Sequence, residues 1–490
     1  MDKLRNLITL IFIFSFAVIS VWSQESVSTL LEGYLKNDLS IQNLSAEVEK
    51  QSLNNESSQI SNGFNFQLST GTVTLYTGDS TCVKINPAAS LNLPQYNDLT
   101  LSLSSKATIS GDDAGVSDTS INLSADIISE QADTIKISRL KAERSLLESK
   151  RALQNRFTSA EKEFYTSLKN LYQIAAEINT AENEYYEDKL SFDQIKAQGY
   201  TSTSSKYRTA QLEVLSDQHT IDTKKHELER ETKVFASLCG INYQGTDAIT
   251  QFLPNSIPLV DAVDVNSFPE ETYTELEAAL WTNKINQLER DAEKFFTLNA
   301  NAGYTFANSS AGSSSKTDTV DFGTGMTFAD TGLSASAGVS IPTTSEDHNP
   351  IFTFGISIDP NAFRQAKITS QIEKLEAEQE AISIQSARNN YQTAVTTQAA
   401  ELADIQWNKS SNTETYNLYK SLAADLQTWY KRGITTESEW RSAEVNKEKY
   451  RIQLLLNDID LIIYNNETLL LFTRDQEFVS DKEGAMENEN

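Results

Sequence analysis

The sequence has few of the residues from which metal sites and disulfide frameworks are built. Its 490 residues include 2 cysteines, 3 histidines and 3 methionines. Cys82 falls in a strand-like stretch and Cys239 at the end of a predicted helix, so we expect no disulfide between them. The histidines lack metal-ligand spacing. We expect no metal and no cofactor. We also expect no enzymatic activity, since we find neither a nucleophile–base arrangement nor a phosphate-binding loop.

Positive charge is also scarce. The chain has 41 Lys and Arg residues against 68 Asp and Glu residues, which gives a net charge of -27. Because nucleic acid is bound largely through Lys and Arg, this balance argues against a nucleic-acid partner. The acidity is typical of a solvated surface, and it also fits a cation-preferring duct.

Long apolar runs are missing beyond the N-terminus. Lys3 and Arg5 precede an apolar stretch at residues 7–22, and residues 21–23 fit a cleavage site, so residues 1–23 are predicted to be a secretory signal peptide. An N-terminal membrane anchor is the alternative. No later run reaches the roughly 18 apolar residues of a membrane helix. The mature chain is therefore predicted to be soluble or a β-type membrane protein, whose alternating strands escape hydropathy searches.

What the chain does contain is one unit, present twice. Residues 41–50 and 285–294 share Ile, Leu, an acid and a Glu-Lys pair at identical spacing. Repeat one is assigned to residues 24–255 and repeat two to residues 256–475. In repeat one the predicted elements are a helix at 26–60, strands at 62–128 and a long helical hairpin at 133–239. In repeat two they are a helix at 270–295, strands at 296–358 and a long helical hairpin at 361–472. Residues 476–490 are predicted to be a disordered acidic tail.

The strand regions are recognised because the spacing of apolar residues changes from the helical period to every second residue. Leu99, Leu101 and Leu103 alternate with polar residues, and about four such stretches occur in each repeat. Residues 308–319, rich in Ser and Gly, are expected to form a loop. Asn361 is the predicted N-cap of the helix that follows the last strand.

The predicted helices are far longer than those of ordinary globular proteins. Residues 133–198 alone would give about 66 residues, or roughly 100 Å at 1.5 Å per residue. Such a helix needs a partner along its length, and each is followed by a turn, at 199–203 and 433–436, and a returning helix. Exposed strand edges also invite pairing with another chain. A symmetric ring would satisfy both needs, so the chain is predicted to be an oligomer.

The two hairpin turns share a pattern. In repeat two, Gly433 is followed six residues later by Glu439, and Ala443 lies four residues beyond that acid. In repeat one, Gly199 is followed at the same spacing by Ser205, and the alanine falls one residue late. Each glycine suits the left-handed position at a helix C-terminus.

The signal peptide, the duplicated helix–strand–hairpin unit and these turns together resemble the TolC family of outer-membrane efflux proteins, over residues 24–471. The resemblance implies a mainly α fold with a β-barrel part: an oligomer, expected to be a trimer, that forms an α-barrel and a transmembrane β-barrel. Such proteins contribute two strands per repeat to a shared twelve-stranded barrel. Either the extra strands here form long hairpins outside the cell, or the barrel has more strands.

The resemblance also implies functional residues. Tyr430 would occupy the place of a locking tyrosine and Glu439 that of an acidic ring, while Ser205 and Ser442 stand where acids are expected. A structural role for Glu439 stays open, since acids in the first turn of a helix favour its dipole. The turns would dock an adaptor through Gly199, Tyr200, Thr201, Gly433, Ile434 and Thr435.

The implied function is passive transport. The chain would be a channel subunit for type I secretion or multidrug efflux in the bacterial outer membrane, extending into the periplasm. Its partners would be further copies of itself, outer-membrane lipid, a periplasmic adaptor (membrane fusion) protein and an inner-membrane transporter. An extracellular or periplasmic coiled-coil structural protein or adhesin is the main alternative. A helical pore-forming toxin is a weaker one, because no apolar insertion hairpin stands out.

Overall fold

The computed structural model describes residues 26–76, 82–110, 113–245, 252–306, 318–343 and 349–474. The predicted signal peptide, the acidic tail and most of the loop expected at 308–319 lie outside the described residues. The chain forms two compact units. The helical unit is the described part of residues 1–41, 155–267 and 395–471, and the sheet unit is the described part of 42–154, 268–394 and 472–490.

Both repeats contribute helices and strands, which we number in chain order. The helices are α1 (Val27–Asn37), α2 (Leu39–Ser61), α3 (Gln131–Ala197), α4 (Ser205–Leu238), α5 (Thr274–Ala292), α6 (Pro360–Lys431) and α7 (Glu437–Leu471). The strands are β1 (Asn65–Ser69), β2 (Val73–Tyr76), β3 (Cys82–Ile85), β4 (Ala88–Leu93), β5 (Leu99–Ser110), β6 (Asp113–Ile128), β7 (Phe296–Phe306), β8 (Thr319–Phe328), β9 (Leu333–Pro342) and β10 (Ile351–Ile358). Helices α3 and α6 are exceptionally long, at 67 and 72 residues.

The helix predicted at 26–60 is two helices, because Asp38 interrupts it. Asp38 has an extended backbone, with φ -73° and ψ 105°. Its Oδ1 atom accepts hydrogen bonds from the backbone N–H groups of Ser40 (2.7 Å) and Ile41 (3.3 Å), so it caps the start of α2. Arg156 Nε donates to the other carboxylate oxygen at 2.8 Å. The apolar period continues across the break, which is why periodicity alone misses it.

Two further helix starts differ from the predictions. The stretch predicted to be helical from residue 270 begins with a short 3₁₀ segment, Glu270–Thr272, before α5. The N-cap of α6 is Asp359 and not Asn361, because the Asn361 N–H donates to Asp359 Oδ1 at 2.9 Å. Pro360 then stands at the first helical position, where its missing N–H costs nothing.

The core of the helical unit lies where α3, α4 and α7 pack together. Phe164, Leu168 and Tyr172 of α3 are almost fully buried. They pack with Phe235 of α4 and Ile459 of α7 in one apolar cluster. The residues come from both repeats, so the two hairpins share a core. Leu30 of α1 and the segment around Leu253 complete it.

Polar contacts also join helices of the helical unit. Lys169 Nζ lies 2.7 Å from Asp460 Oδ1, and Thr468 Oγ1 donates to Gln398 Oε1 at 2.9 Å. The second contact is buried, so it is less exposed to competition from water. No helix in the described part of the chain is apolar over a stretch long enough to cross a membrane.

Among its described residues, the sheet unit is built on one antiparallel sheet of ten strands. Eight strands follow one another in the order β1-β4-β5-β6-β7-β8-β9-β10, and β2 pairs with β3, which also pairs with β5. Repeat one contributes six strands rather than about four, because the short pair β2 and β3 and the strand β4 were not all recognised. Within its described ranges, repeat two contributes four. The repeats meet where β6 pairs with β7.

A charged cluster connects α5 and α6 within the sheet unit. Arg290 makes a bidentate pair with Glu380, with both N···O distances at 3.0 Å. Asn283 and Asn286 also donate to Glu380, each at 2.8 Å. The Glu380 side chain is only 9% exposed. These donors lower the pKa of Glu380 to about 2, chiefly through the hydrogen bonds from Arg290.

Candidate functional site

The turn after α6 is a Schellman motif, built as the glycine pattern predicts. Gly433 has φ 72°, its N–H donates to the Tyr430 carbonyl at 2.9 Å, and the Ile434 N–H donates to the Trp429 carbonyl at 2.9 Å. Nothing lies within 4 Å of where a Cβ atom of Gly433 would be. The glycine is therefore needed for its backbone conformation rather than for space.

The turn after α3 has the same geometry. Gly199 has φ 83°, its N–H donates to the Lys196 carbonyl at 3.0 Å, and the Tyr200 N–H donates to the Ile195 carbonyl at 3.4 Å. The predicted docking residues therefore occupy matching places in the two hairpins. Tyr200 is 41% exposed and Ile434 is 69% exposed, so both present apolar surface to solvent.

Glu439 takes part in a capping box at the start of α7. Its side chain accepts hydrogen bonds from the Thr436 N–H (3.0 Å) and the Thr435 hydroxyl, while the Glu439 N–H donates to Thr436 Oγ1 at 3.2 Å. The Thr435 hydrogen bond, followed by those from Thr436, lowers the pKa of Glu439. The carboxylate is exposed and ionised at the turn. Glu439 therefore has a local structural role as a capping residue of α7.

Tyr430 packs within its own hairpin. Its ring stacks on that of Trp440, with centroids 5.3 Å apart and planes inclined by 17°. Arg441 lies over the other ring of this pair, 4.4 Å from the Trp440 centroid. Tyr430 remains 38% exposed. Sequence reasoning missed Trp440, although an aromatic residue one position after the acid was visible in the turn.

Ser442 connects the two hairpins. It donates to Asn183 Oδ1 at 2.5 Å, and Asn446 Nδ2 donates to the same oxygen at 2.8 Å. Asn183 belongs to α3 and the other two residues to α7. No sequence signal identified Asn183, since a single polar residue in a long helix has no distinguishing pattern. The position where an acid was expected is therefore part of a neutral polar cluster.

Ser205 lies at the first position of α4 and is exposed. The preceding residue, Ser204, is the N-cap but makes no side-chain capping bond. Arg208 instead donates to the Ser202 carbonyl at 2.8 Å. The contacts described for these residues include none between Ser205 and Tyr430. Among the described contacts, the four predicted gate residues therefore do not form one cluster.

The first hairpin contains an acidic pair that sequence reasoning missed. Burial raises the pKa of Asp217 on α4, and the neighbouring carboxylate of Asp188 on α3 raises it further. Asp217 Oδ2 is buried and makes no hydrogen bond with any described group. Glu184 and Glu213 add weaker repulsion. Repeat one thus lacks an acid at its turn but holds like charges together farther along the hairpin.

The sheet has one largely apolar face. Residues directly opposite one another in antiparallel strands share a face, so Phe66, Leu91, Leu101, Leu123 and Ala302 form one continuous row. Thr324 on β8 is an exception, as is Thr119 on β6, which lies opposite Phe306. The face comprises Phe66 and Leu68; Ala89, Leu91 and Leu93; Leu99, Leu101 and Leu103; Ile121, Leu123 and Ala125; Phe296, Leu298, Ala300, Ala302 and Tyr304; Val320, Phe322, Met326 and Phe328; Leu333, Ala335, Ala337, Val339 and Ile341; and Phe352, Phe354, Ile356 and Ile358.

The apolar face is open to its surroundings. Leu101 and Leu123 in the middle of the sheet are 44% and 45% exposed, and Phe354 on β10 is 80% exposed. A large side chain left in water forgoes roughly 1.5–3 kcal/mol of transfer free energy. A contiguous patch of this extent marks a surface that another phase or another molecule covers.

The opposite face of the sheet is polar and made of small residues. Ser102 on β5, for example, lies opposite Ser90 and Asn122. Ala88, Pro342 and Ile351 are apolar exceptions at strand ends. The face includes Asn65 and Gln67; Ser90 and Asn92; Thr100, Ser102 and Ser104; Ser120, Asn122, Ser124 and Asp126; Asn299, Asn301, Gly303 and Thr305; Asp321, Gly323, Gly325 and Thr327; Ser334, Ser336, Gly338 and Ser340; and Thr353, Gly355 and Ser357.

Comparison with known proteins assigns the chain to a family. Residues 30–257 match the model of the TP096X N-terminal domain, and residues 258–475 match that of the TP096X C-terminal domain. The chain belongs to the TP096X family. The junction of the two TP096X domains lies beside the boundary expected between the two repeats. Among curated proteins, none matches this TP096X sequence.

The TP096X chain is also similar to solved outer-membrane channels, the class of protein that its sequence resembles. The outer-membrane channel OprN is 13% identical, with a TM-score of 0.45 over 90% of this chain and 89% of that one. VceC from Vibrio cholerae is 12% identical, with a TM-score of 0.45 over 90% and 95%. CmeC from Campylobacter jejuni is 11% identical, with a TM-score of 0.44 over 95% and 89%. The likeness is distant, and the family assignment rests on the two domain matches.

Among the described residues, no group of three or more His, Cys, Asp or Glu side chains is placed to hold a metal ion. Both cysteines are free, and Cys239 is buried in the helical unit. Burial raises the pKa of its thiol to about 12, so the thiol is protonated at neutral pH.

Proposed function

We propose that the TP096X chain is one subunit of an outer-membrane channel. The observation that carries the proposal is the continuous apolar face of the sheet, which extends over eight strands and is exposed. Hydrocarbon chains of lipid fit such a face, because away from the strand ends its polar side chains are few: Thr324 on β8 and the hydrogen-bonded pair Ser105 and Thr119.

Strand length supports the same assignment. A membrane-spanning β-strand needs about 9–11 residues at the usual tilt. β7 has 11 residues, and β8 and β9 have 10 each. β1 and β4 have only 5 and 6 residues, but β2 and β3 continue them: β4 and β3 pair with successive stretches of β5, while β1 and β2 pair with β4 and β3. The alternation of apolar and polar residues persists along β7, β8 and β9. The sheet would therefore form part of a transmembrane β-barrel, with the apolar face toward lipid and the polar face toward water.

Further copies of the chain would complete the structure. β1 and β10 lie at the two ends of the strand order, and each has one pairing edge without a described partner strand. Such edges pair readily with another chain. Part of α6 also exposes large apolar residues, with Ile368, Leu375 and Ile382 at seven-residue spacing. We propose a homotrimer, as the TolC resemblance implies.

The helical hairpins would form a periplasmic tunnel. The turns at Gly199–Tyr200–Thr201 and Gly433–Ile434–Thr435 would contact a periplasmic adaptor, which couples the channel to an inner-membrane transporter. Their exposed apolar side chains suit such a contact. Transport would be passive and without catalysis, in type I secretion or multidrug efflux.

The gate would lie near the second turn. Tyr430 and Glu439 would act there, with Ser442 and Ser205 at neighbouring positions. The proposed role of Glu439 at the gate is supported by its carboxylate, which is ionised and exposed. Because the four residues are not joined within one copy, a gate built from them would need contacts between copies.

Planar-bilayer conductance of the purified, detergent-solubilised full chain tests the proposal, together with particle imaging. We expect stepwise ion conductance and a ring of identical subunits that bears a long tube. A protein that remains soluble as a rod without detergent and gives no conductance would instead support the structural or adhesin alternative.

A further inference from the structure

The sheet answers a question that the sequence left open, namely whether the extra strands form separate hairpins or belong to one wall. β8 and β9 pair along their whole lengths, from Thr319 opposite Pro342 to Phe328 opposite Leu333. β7 pairs with β8, and β9 with β10, over similar stretches. The strands of repeat two therefore lie side by side in the same band as β5 and β6. They do not form hairpins that extend beyond the other strands.

We propose that each copy contributes eight strands to the wall of a wide aqueous pore, which admits large, hydrophilic solutes. The proposal rests on the channel function proposed above, and it adds the class of solute. It follows from strand number, from the side chains of the polar face and from the direction of the outermost strands.

The number of strands determines the diameter of the proposed barrel. Neighbouring strands lie about 4.8 Å apart, and at a tilt of about 40° eight strands supply roughly 50 Å of circumference. Three copies would enclose a barrel with a backbone diameter of about 50 Å, against about 25 Å for twelve strands. Side chains would narrow the lumen by about 10 Å, to about 40 Å and about 15 Å respectively.

Strand direction permits such a closure. Each step from β1 to β10 along the strand order is antiparallel. There are eight strands in this order, so β1 and β10 run in opposite directions. β10 of one copy can therefore pair with β1 of the next in the same antiparallel manner. Apolar residues alternate along both edges, so the lipid-facing surface can continue across the joint.

The polar face leaves the lumen open. A methyl group at Gly325 would come 2.7 Å from Asn299 Oδ1, so this asparagine lies flat over the glycine opposite it. The same holds for Thr353 over Gly338, at 2.7 Å. Side chains that lie along the sheet do not project into the space beyond it. The glycines also relieve crowding where a sheet curves toward its polar face.

The chemistry of this face determines which solutes it suits. Its side chains are chiefly hydroxyls and amides, with Asp126 and Asp321 as acids, and farther along the strands Lys106 pairs with Asp118 at 3.2 Å. Such a wall hydrogen-bonds to water and has no apolar binding surface. It therefore suits hydrated solutes, including polypeptides, up to about the 40 Å width of the lumen.

Cysteine labelling in proteoliposomes tests both width and orientation. Ser102→Cys places a thiol on the polar face and Leu101→Cys places one on the apolar face, in a protein that also carries Cys82→Ser. Each variant is treated on both sides of the membrane with a small polar maleimide. A second sample receives a maleimide on a neutral polymer coil of about 25 Å, a size between the two lumen estimates. Ser124→Cys and Leu123→Cys repeat the comparison on β6, and the Cys82→Ser parent measures reaction at buried Cys239.

We expect both reagents to label Ser102→Cys and neither to label Leu101→Cys. Labelling of Ser102→Cys by the small reagent alone would overturn the wide pore and leave a narrow channel. If neither reagent labels Ser102→Cys, or if Leu101→Cys is labelled equally well, the channel function falls together with the wide pore.

Discussion

Glu439 has a local role that its position in the turn alone did not reveal. Its carboxylate completes the capping box with Thr435 and Thr436, and the same charge is the candidate gate. The two roles separate because glutamine also forms a capping box but has no charge. A change in ion flow without loss of helix stability would assign the charge to the gate.

We predict that Glu439→Gln raises ion conductance in planar bilayers, because the proposed gate loses its charged group. It should also weaken cation preference, because a negative group at the mouth is removed. Glu439→Ala should in addition cost about 1 kcal/mol of helix stability through the lost cap. Glu437→Gln, an exposed acid in the same helical turn, is the matched control. If conductance and selectivity in Glu439→Gln equal those of the wild type, the residue is a cap only.

Asp217 gives a second prediction at the residue scale. Its pKa is raised by burial and then by Asp188, so the folded protein holds this proton to a higher pH than the unfolded chain, whose ordinary value is 3.8. The folded protein therefore loses stability relative to the unfolded chain as the pH rises from 3.8 toward the raised pKa of Asp217. Asp217→Asn should make the protein more stable at pH 7 and bring little change below pH 3.8.

The measurement for Asp217 is denaturant unfolding followed by helical circular dichroism at several pH values. Asp222→Asn, on the exposed side of the same helix, should leave the pH profile unchanged. An Asp217→Asn protein that is no more stable than the wild type at neutral pH would show that the acidic pair is not strained.

Single residues were predictable where local backbone chemistry dictates them. Gly199 and Gly433 follow from the need for a left-handed residue at a helix end, and both adopt it. The roles of Asn183 and Trp440 were not predictable. Asn183 contacts Ser442 and Asn446, which are distant in sequence, and the Trp440 ring stacks on Tyr430 of the same hairpin. A spacing pattern carries no information about such contacts.

At the scale of elements, the contact between α5 and α6 depends on ionisation of Glu380. Because the pKa of Glu380 is lowered to about 2 from an ordinary 4.5, its contribution is fully present above pH 4.5 and is lost as the pH falls from 4.5 toward 2. Glu380→Gln should cost about 2 kcal/mol at pH 7, because it removes charged hydrogen bonds to Arg290.

Unfolding curves of the wild type and of Glu380→Gln should converge as the pH is lowered through this window. Glu378→Gln, on the exposed surface of α6, provides the control and should follow the wild type throughout. A stability difference that persists unchanged at pH 2 would contradict the ion-pair explanation.

The long helices and the longer strands could be predicted from periodicity, because each buries or exposes one stripe or face along many residues. The break at Asp38 and the short strands β2 and β3 could not. Asp38 ends one helix and starts the next through side-chain hydrogen bonds, without changing the apolar period. Strands of four residues are too short to establish a period.

At the scale of the whole molecule, the sequence predicted duplication, and the two TP096X domains match successive halves. The strand alternation also predicted a two-faced sheet. It did not predict that the described strands of both repeats form one sheet, because alternation identifies strands but not their neighbours. The neighbours of each strand are given by the strand pairing, and the pairing of β6 with β7 joins the two repeats.

The central claim is that the apolar face of this sheet meets lipid and the polar face meets water. The most direct test compares Leu101→Arg with Ser102→Arg, adjacent residues on opposite faces of β5, by assembly of each protein into the outer membrane as a heat-modifiable oligomer. We predict that Leu101→Arg, which would cost roughly 2–4 kcal/mol at mid-membrane, abolishes or sharply reduces assembly, whereas Ser102→Arg assembles like the wild type. Equal assembly of the two variants would contradict the claim.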